Sequence, residues 1–336
     1  MLRKNYNNDP ERKIKPSFCS LGVTDKCMLK CKICYKWQDT GSEKSPTLMQ
    51  YKNFISNLRG FLDEGFKIQF GAGEVLLFDG LLDLVKFSSA QGFSTLIASN
   101  GWLIDEEMAK RIAGSGLNEI TLSLDSLNAQ THDYLRGVTG AHCRVMAAID
   151  YLKKNSPDIK IGINSIICDY NLGDLMPLLE WIVNNDKINS IFLLAITQPN
   201  NIEVEKEWWK GKNSCLWPKD TRKVCSFVEH LLKFKSTGAG GKIGNSFAQL
   251  EAFKFYFMHP ERFVSKTNCN LGGMVHVNAF GDISFLCPKS GVLGNIKKKE
   301  DIKKIWFSGK ANHTREKIAV CRGNCHFLIN CFFGNE

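Results

Sequence analysis

The chain has 336 residues, 43% of them hydrophobic and 23% charged, with a formal net charge of +10. That composition suits one α/β barrel-sized domain, or a large domain with a small companion. The longest apolar run, 191–196, is far too short for a membrane span, and residues 1–18 are polar and basic, unlike a signal peptide. Thirteen cysteines with no secretory signal are expected in a reduced cytoplasm, as metal or cluster ligands rather than disulfides. The basic runs Lys297-Lys298-Lys299 and Lys303-Lys304 read as a solvated helix face, or as attraction to an anionic partner. No nucleic-acid motif accompanies them.

In chain order, residues 18–24 form a short bounded apolar run and read as the first strand. Thr47-x-x-Gln50 is a capping-box pattern ahead of Leu48, Tyr51, Ile55, Leu58 and Leu62 at helical spacing. Strands are expected at 67–70, 94–98, 119–124, 160–167 and 190–196. Between them, helices are expected after Asp79 and Asp105, each as an N-cap, and over 141–154 and 172–184. Six strands alternating with helices imply parallel pairing through right-handed crossovers. Ligands bind at the carboxyl ends of such strands. The unusual stretches fall there: Gly73-Glu74, Ser99-Asn100, Ser123-Leu124-Asp125 and Asn164. Parallel strands alone leave a flavodoxin-like sheet open.

Past residue 198 the composition changes. Trp208, Trp209 and Trp217 lie among charges, read as a packed insertion or a substrate-contacting lid. An amphipathic helix is expected over 220–235, then a glycine-rich hinge at 236–244, where the domain boundary is placed. An aromatic helix at 247–257 precedes a β-hairpin built from 275–278 and 283–286, with Gly281 and Asp282 at its turn. Helices follow at 301–306 and 310–320.

Two cysteine groups carry the chemistry. Cys27, Cys31 and Cys34 lie in one loop after the first strand, spaced C-x3-C-x2-C. Iron–sulfur clusters are held by thiolates from such local runs. A loop with three thiolates leaves one iron of a four-iron cluster open to a small molecule. Structural zinc sites more often pair C-x2-C with a distant second pair, so zinc or inert buried thiols are the rival readings. The second group comprises Cys269 and Cys287 bracketing the hairpin, and Cys321, Cys325 and Cys331 in the tail. Its rival is a zinc ribbon.

The first spacing resembles the signature of the radical S-adenosylmethionine (radical SAM) enzymes. The second group resembles their C-terminal SPASM and twitch extensions, which hold auxiliary clusters. The resemblance spans nearly the whole chain. It implies a partial (β/α)6 TIM-like barrel over 18–198, after an N-terminal extension at 1–17. A Trp-containing insertion and helical connection at 199–244 follows, then a small α+β cluster-binding domain at 245–336. It also implies one [4Fe–4S] cluster on Cys27, Cys31 and Cys34 with S-adenosylmethionine at the open iron. A full SPASM pattern has seven cysteines; five here imply one auxiliary [4Fe–4S] cluster on four of Cys269, Cys287, Cys321, Cys325 and Cys331.

Around the cofactor, the resemblance assigns contacts to Gly73 and Glu74, where Ala72 and Val75 depart from the usual Gly-Gly-Glu-Pro. Ala72 is expected to keep a negative φ. Ser99, Asn100, Ser123, Asp125 and Asn164 are placed on the ribose or carboxylate, Ile33 and Tyr35 around the adenine. Arg136 is expected to pair with the carboxylate, or else with Asp133 on the surface. A reductant such as flavodoxin or ferredoxin and an unknown small-molecule or peptide substrate are implied. So is hydrogen abstraction by a 5′-deoxyadenosyl radical, leading to oxidation, dehydrogenation or cross-linking. Epimerisation with a cysteine donor, Cys168 among the candidates, is the alternative. Few residues precede the first strand, which tilts the expectation toward a small molecule or a separately delivered peptide. A plain iron–sulfur electron carrier and a zinc-stabilised binding module are the non-enzymatic readings.

Overall fold

The computed structural model describes residues 15–38, 44–203, 205–262 and 269–331, and the side chain of Ala239 is outside it. Most of the N-terminal extension and the last five residues lie outside the described residues. Six parallel strands, β1 (Phe18–Thr24), β2 (Lys67–Ala72), β3 (Ser94–Ser99), β4 (Glu119–Ser123), β5 (Lys160–Ile167) and β6 (Ser190–Ala195), pair in sequence order. Alternation explains the layering. Cys19, Leu21 and Val23 are fully buried, as are Ile68 and Phe70, and they share one core with the apolar faces of the helices. Ser20, Gln69, Thr121 and Asn164 are half-buried and lie on the opposite, concave face.

The crossover helices are α1 (Leu48–Arg59), α2 (Leu81–Ala90), α3 (Glu106–Ala113), α4 (Ala129–Arg136), α5 (Ala141–Asn155) and α6 (Leu175–Val183). Thr47 forms the expected capping box on α1, and Asp105 caps α3 through the Met108 amide. Asp79 does not cap α2. Gly80 holds that position without a side-chain bond, because a 3-10 turn at Val75–Leu77 brings the chain in from another direction. The short helix α4 follows an Asn128 cap and ends on Gly137 in the left-handed region.

The C-terminal part is less separate than expected. After α7 (Thr221–Ser236) and α8 (Phe247–Met258), strand β7 (Met274–Val277) pairs in parallel with β1. It then hairpins into β8 (Asp282–Phe285) and the two-residue β9 (Gly294–Asn295). One nine-stranded sheet results, running β6-β5-β4-β3-β2-β1-β7-β8-β9. The hairpin turns at Gly281, φ +89°, with the Asn278 side chain accepting from the Phe280 and Asp282 amides. Helices α9 (Ile302–Trp306) and α10 (Gly309–Ala319) complete the unit.

The glycine-rich stretch 236–244 is not a loose hinge. It packs on the free edge of β6, where Gly244 donates to the Ile191 carbonyl. Asn245 then mimics a strand, accepting from the Leu193 amide at 2.7 Å and donating to its carbonyl at 2.9 Å. Asn330 does the same for Ala195, at 2.8 Å both ways. The C-terminal part therefore holds both edges of the barrel sheet: β7 covers β1, and two asparagines cover β6. An edge needs such cover, since unpaired backbone polar groups are costly when buried.

Candidate active site at the barrel mouth

Cys27, Cys31 and Cys34 are half-buried free thiols in the loop after β1. Two glycines pin this loop. The Gly73 amide donates to the Thr24 carbonyl at 2.7 Å, and a Cβ at Gly73 would lie 2.2 Å from the Lys26 carbonyl oxygen. A Cβ at Gly137 would lie 2.0 Å from the Lys30 carbonyl oxygen. Asn200, beyond β6, pairs with the loop from a third side: the Tyr35 amide donates to its carbonyl at 3.0 Å, and its own amide donates to Ile33. The backbone of Ile33 and Tyr35, expected around an adenine, is thus tied to residues 200–201.

Glu74 is buried, and both its oxygens are occupied. Oε1 accepts from the Leu76 amide and the Ser99 hydroxyl, Oε2 from the Asn100 amide at 2.8 Å. Burial pushes its carboxyl above the usual range, and those three bonds pull it back. Its place is therefore that of a brace between the ends of β2 and β3. Asn100, so held, aims its side-chain amide at the Cys27 sulfur, 3.8 Å away, and at the Met28 sulfur, 3.5 Å away. Ala72 has φ +103°, against the expected negative value. The strand end must turn sharply to bring Gly73 under the loop, into a conformation that glycine adopts freely and alanine does not.

Arg136 is buried, and its partner is neither Asp133 nor solvent. Its Nη2 lies 2.8 Å from the Asp125 carboxylate, itself buried at the end of β4. Asp133 instead accepts from the Gly140 and His142 amides. Asp125 also accepts from the Ile166 amide, and its own amide donates to His132 Nδ1. Burial pushes the Cys31 thiol up to about 11, and the Arg136 guanidinium acts in the opposite direction. Among the described residues, Arg136 Nε has no hydrogen-bond partner. Ser123 and Asn164 are register partners on β4 and β5, one step below this pair.

In the second group, Cys269, Cys287, Cys321, Cys325 and Cys331 are all free thiols. They lie near enough to perturb one another: Cys269 feels Cys287, Cys325 and Cys321, and Cys331 feels Cys325 and Cys269. The density of cysteines around the hairpin and in the tail pointed to this convergence, as did the resemblance; the tail folds back so that Asn330 reaches β6. Around it, Trp208, Trp217, Tyr256 and His326 form an aromatic box. Trp208 Nε1 donates to His326 Nδ1 at 2.9 Å, so the Trp insertion is packed structure. Cys168 is sealed at 0% exposure with its sulfur 3.2 Å from Asn171 Oδ1, which leaves it no route to a substrate.

Both groups suit iron–sulfur clusters by donor chemistry. Each offers at least three soft thiols that are free of disulfides, and the first has the Asn100 amide aimed at the Cys27 sulfur. Among the described residues, no three Cys, His, Asp or Glu side chains are gathered as they would be around a single ion. A four-iron cluster spreads its thiolates around a larger body.

The molecule is thus a parallel α/β barrel with a three-thiol loop pinned at its mouth. Residues 21–182, just under half of the chain, match the model of the Radical SAM superfamily and form a domain of that superfamily. It is 30% identical over 170 residues to the Fe-coproporphyrin III synthase of Methanosarcina barkeri, covering 50% of this chain and 41% of that one. It is 25% identical over 297 residues to the tungsten-containing aldehyde ferredoxin oxidoreductase cofactor-modifying protein of Pyrococcus furiosus, covering 78% and 79%. Against the first of these the chain spans less than half the relative's length. The fold is similar to Streptococcus suis SuiB bound to S-adenosylmethionine, with TM-score 0.69 and 15% identity over 94% of this chain and 74% of that one. It is also similar to anSMEcpe with bound AdoMet and Cp18Cys peptide, with TM-score 0.66 and 18% identity over 93% and 87%. No helix among the described residues is long and apolar enough to cross a membrane.

Proposed function

We propose that this chain is a radical enzyme that cleaves S-adenosylmethionine by one-electron reduction and abstracts hydrogen from a small molecule or a peptide, leading to an oxidised, dehydrogenated or cross-linked product. The observation that carries the reading is the pinned three-thiol loop with Asn100 aimed at Cys27. Cys27, Cys31 and Cys34 would hold the cluster, and four of Cys269, Cys287, Cys321, Cys325 and Cys331 an auxiliary one. When bound, the cluster and S-adenosylmethionine supply electron transfer into the sulfonium and a carbon-centred radical for hydrogen abstraction.

The chain's own residues orient and shield. Gly73 lets strand β2 approach the loop, and Glu74 braces Ser99 and Asn100 so that one face of the mouth is preset. The Arg136–Asp125 ion pair is fixed next to Cys31, with the guanidinium favouring the thiolate and the carboxylate opposing it. Ser123 and Asn164 give the concave face beneath it hydrogen-bonding groups for a polar ligand. All thirteen cysteines are free, which suits a reducing cytoplasm.

The test is anaerobic reconstitution followed by reduction with dithionite. The expected result is a brown protein that releases 5′-deoxyadenosine and methionine, with release abolished in Cys31→Ala. A colourless zinc protein, or a brown one that leaves S-adenosylmethionine intact, overturns the reading. Once a substrate is found, reaction in deuterium oxide separates the outcomes. A product two hydrogens lighter supports oxidation. Unchanged mass apart from one carbon-bound deuterium marks a thiol donor and epimerisation instead.

A further inference from the structure

The loop that carries the first three cysteines also carries an unusual surface. Lys26, Lys30 and Lys32 alternate with Cys27 and Cys31, and all three lysines are exposed. Among the described residues none of the three forms an ion pair within 4.0 Å, and Asp25 is paired with Lys36. Asp133, the carboxylate beside Lys32, is turned to the Gly140 and His142 amides. Lys30 and Lys32 lie over aromatic rings, Nζ 6.0 Å from the Trp37 centroid and 5.5 Å from that of Tyr134. Tyr134 in turn stacks on Tyr170, centroids 4.1 Å apart at 24°. Both tyrosines are large and open, 43% and 48% exposed, although each would lose water-exposed apolar area against a partner. Beside them lies a shallow cavity of about 410 Å³ bordered by Lys32, Gln130, Asp133, Tyr134 and Thr139.

We infer that this face, Lys30 and Lys32 with the Trp37, Tyr134 and Tyr170 rings beside them and Lys26 on the same loop, is the docking surface for an acidic one-electron carrier protein. The inference rests on the reading that Cys27, Cys31 and Cys34 hold a redox cluster. Such a site consumes one electron per cleavage, and that electron comes from outside the chain. Electron transfer needs the carrier's redox group close to Cys31, and the lysines bracket Cys31 directly in sequence. Electron-transfer encounters are small and short-lived, steered by opposite charge more than by area. Exposed rings give such an encounter a rigid apolar platform at low entropic cost. The other basic run, Lys297 to Lys299, is also exposed, but it sits after β9, in the C-terminal unit rather than on the cysteine loop.

The probe is an acidic flavodoxin kept reduced by its reductase, compared with dithionite, which needs no docking surface. Lys30→Glu/Lys32→Glu is expected to lower flavodoxin-driven 5′-deoxyadenosine release about tenfold or more, while the dithionite-driven rate stays within about twofold of the parent. Lys298→Glu/Lys299→Glu is expected to change neither rate. Binding of flavodoxin to the protein before cluster reconstitution gives a readout independent of turnover. It should weaken about tenfold or more between roughly 50 mM and 500 mM salt in the parent, and lose most of that salt dependence in the first variant. Tyr170→Ser should weaken binding without changing its salt slope. Equal loss in both lysine pairs would mean only bulk charge matters, and an unaffected flavodoxin rate in Lys30→Glu/Lys32→Glu would put the carrier elsewhere; either overturns the inference. Absence of dithionite-driven cleavage in the parent would instead overturn the radical reading itself.

Discussion

The two cysteine groups are built in opposite ways. The first is local: three thiols within eight residues, on a loop whose shape is imposed by glycines from two other strand–helix units. The second is assembled: a residue before β7, one after β8, and three from a tail that reaches back to the far edge of the barrel. A local site depends on close backbone approach. An assembled one depends on the fold that brings its parts together. Changes to the thiols should therefore act alike in both, while changes to packing should act on one group at a time.

The largest effect comes from the thiols. Reconstituted parent protein is expected to bind about eight irons, and Cys27→Ala/Cys31→Ala/Cys34→Ala about four. Four irons in the parent would break the comparison, since the second group would then hold no cluster. Next is Arg136→Ala. It leaves Asp125 buried beside Cys31 without its counter-charge, and urea unfolding should report a loss of about 3–5 kcal/mol. A loss near zero would mean that the pair is solvated, and the first group less rigid than described.

The same neighbourhood gives a pH dependence. Burial, helped by Arg136 and His142, lowers the His132 imidazole from 6.5 to about 3. The unfolded chain therefore takes up a proton near pH 6.5 that the folded one refuses. This contribution to stability is complete above that pH and is lost as the pH falls below it. His132→Gln should make the stability less sensitive to pH between about 7 and 5 than in the parent. An unchanged slope would place His132 in contact with water.

Asn330→Ala tests the second group. It removes the partner of both backbone groups of the buried Ala195, at a cost of about 1–3 kcal/mol. Iron should be lost from the second group while the first keeps its own; loss from both would show that the groups are not separable. The smallest effect is a gain. Ala72→Gly relieves a positive φ and should stabilise the protein by about 1 kcal/mol with no change in iron content.

How much of this was legible in the sequence follows from the same division. The triplet was legible because thiols within eight residues of one another need no knowledge of topology. The six strands were legible because each is a bounded apolar run. Arg136 was read toward the cofactor's carboxylate, or else toward Asp133, its neighbour in sequence, although β4 brings Asp125 to it. Position along a helix is visible in a sequence; the packing of a helix end on a strand end is not. The glycine-rich stretch 236–244 was read as a hinge because glycine marks freedom, yet here it lies flat against an edge strand. Asn245, Asn330 and Asn200 carried no signal, since a lone asparagine that imitates a strand looks like any loop asparagine.

The asparagine cover on β6 has a consequence for the protein as a product of synthesis. A strand shielded by side chains rather than by another strand is protected only while those residues are in place. Asn330 leaves the ribosome only after all six barrel strands have done so. Until it docks, the nascent barrel presents the Ala195 end of β6 as an open template, next to the apolar residues Ile191 and Leu193. A chain cut short before residue 330 keeps its three-thiol loop and all six barrel strands, and carries a permanently adhesive flank. Such fragments should gather into sedimenting aggregates rather than persist as dispersed, partly active enzyme.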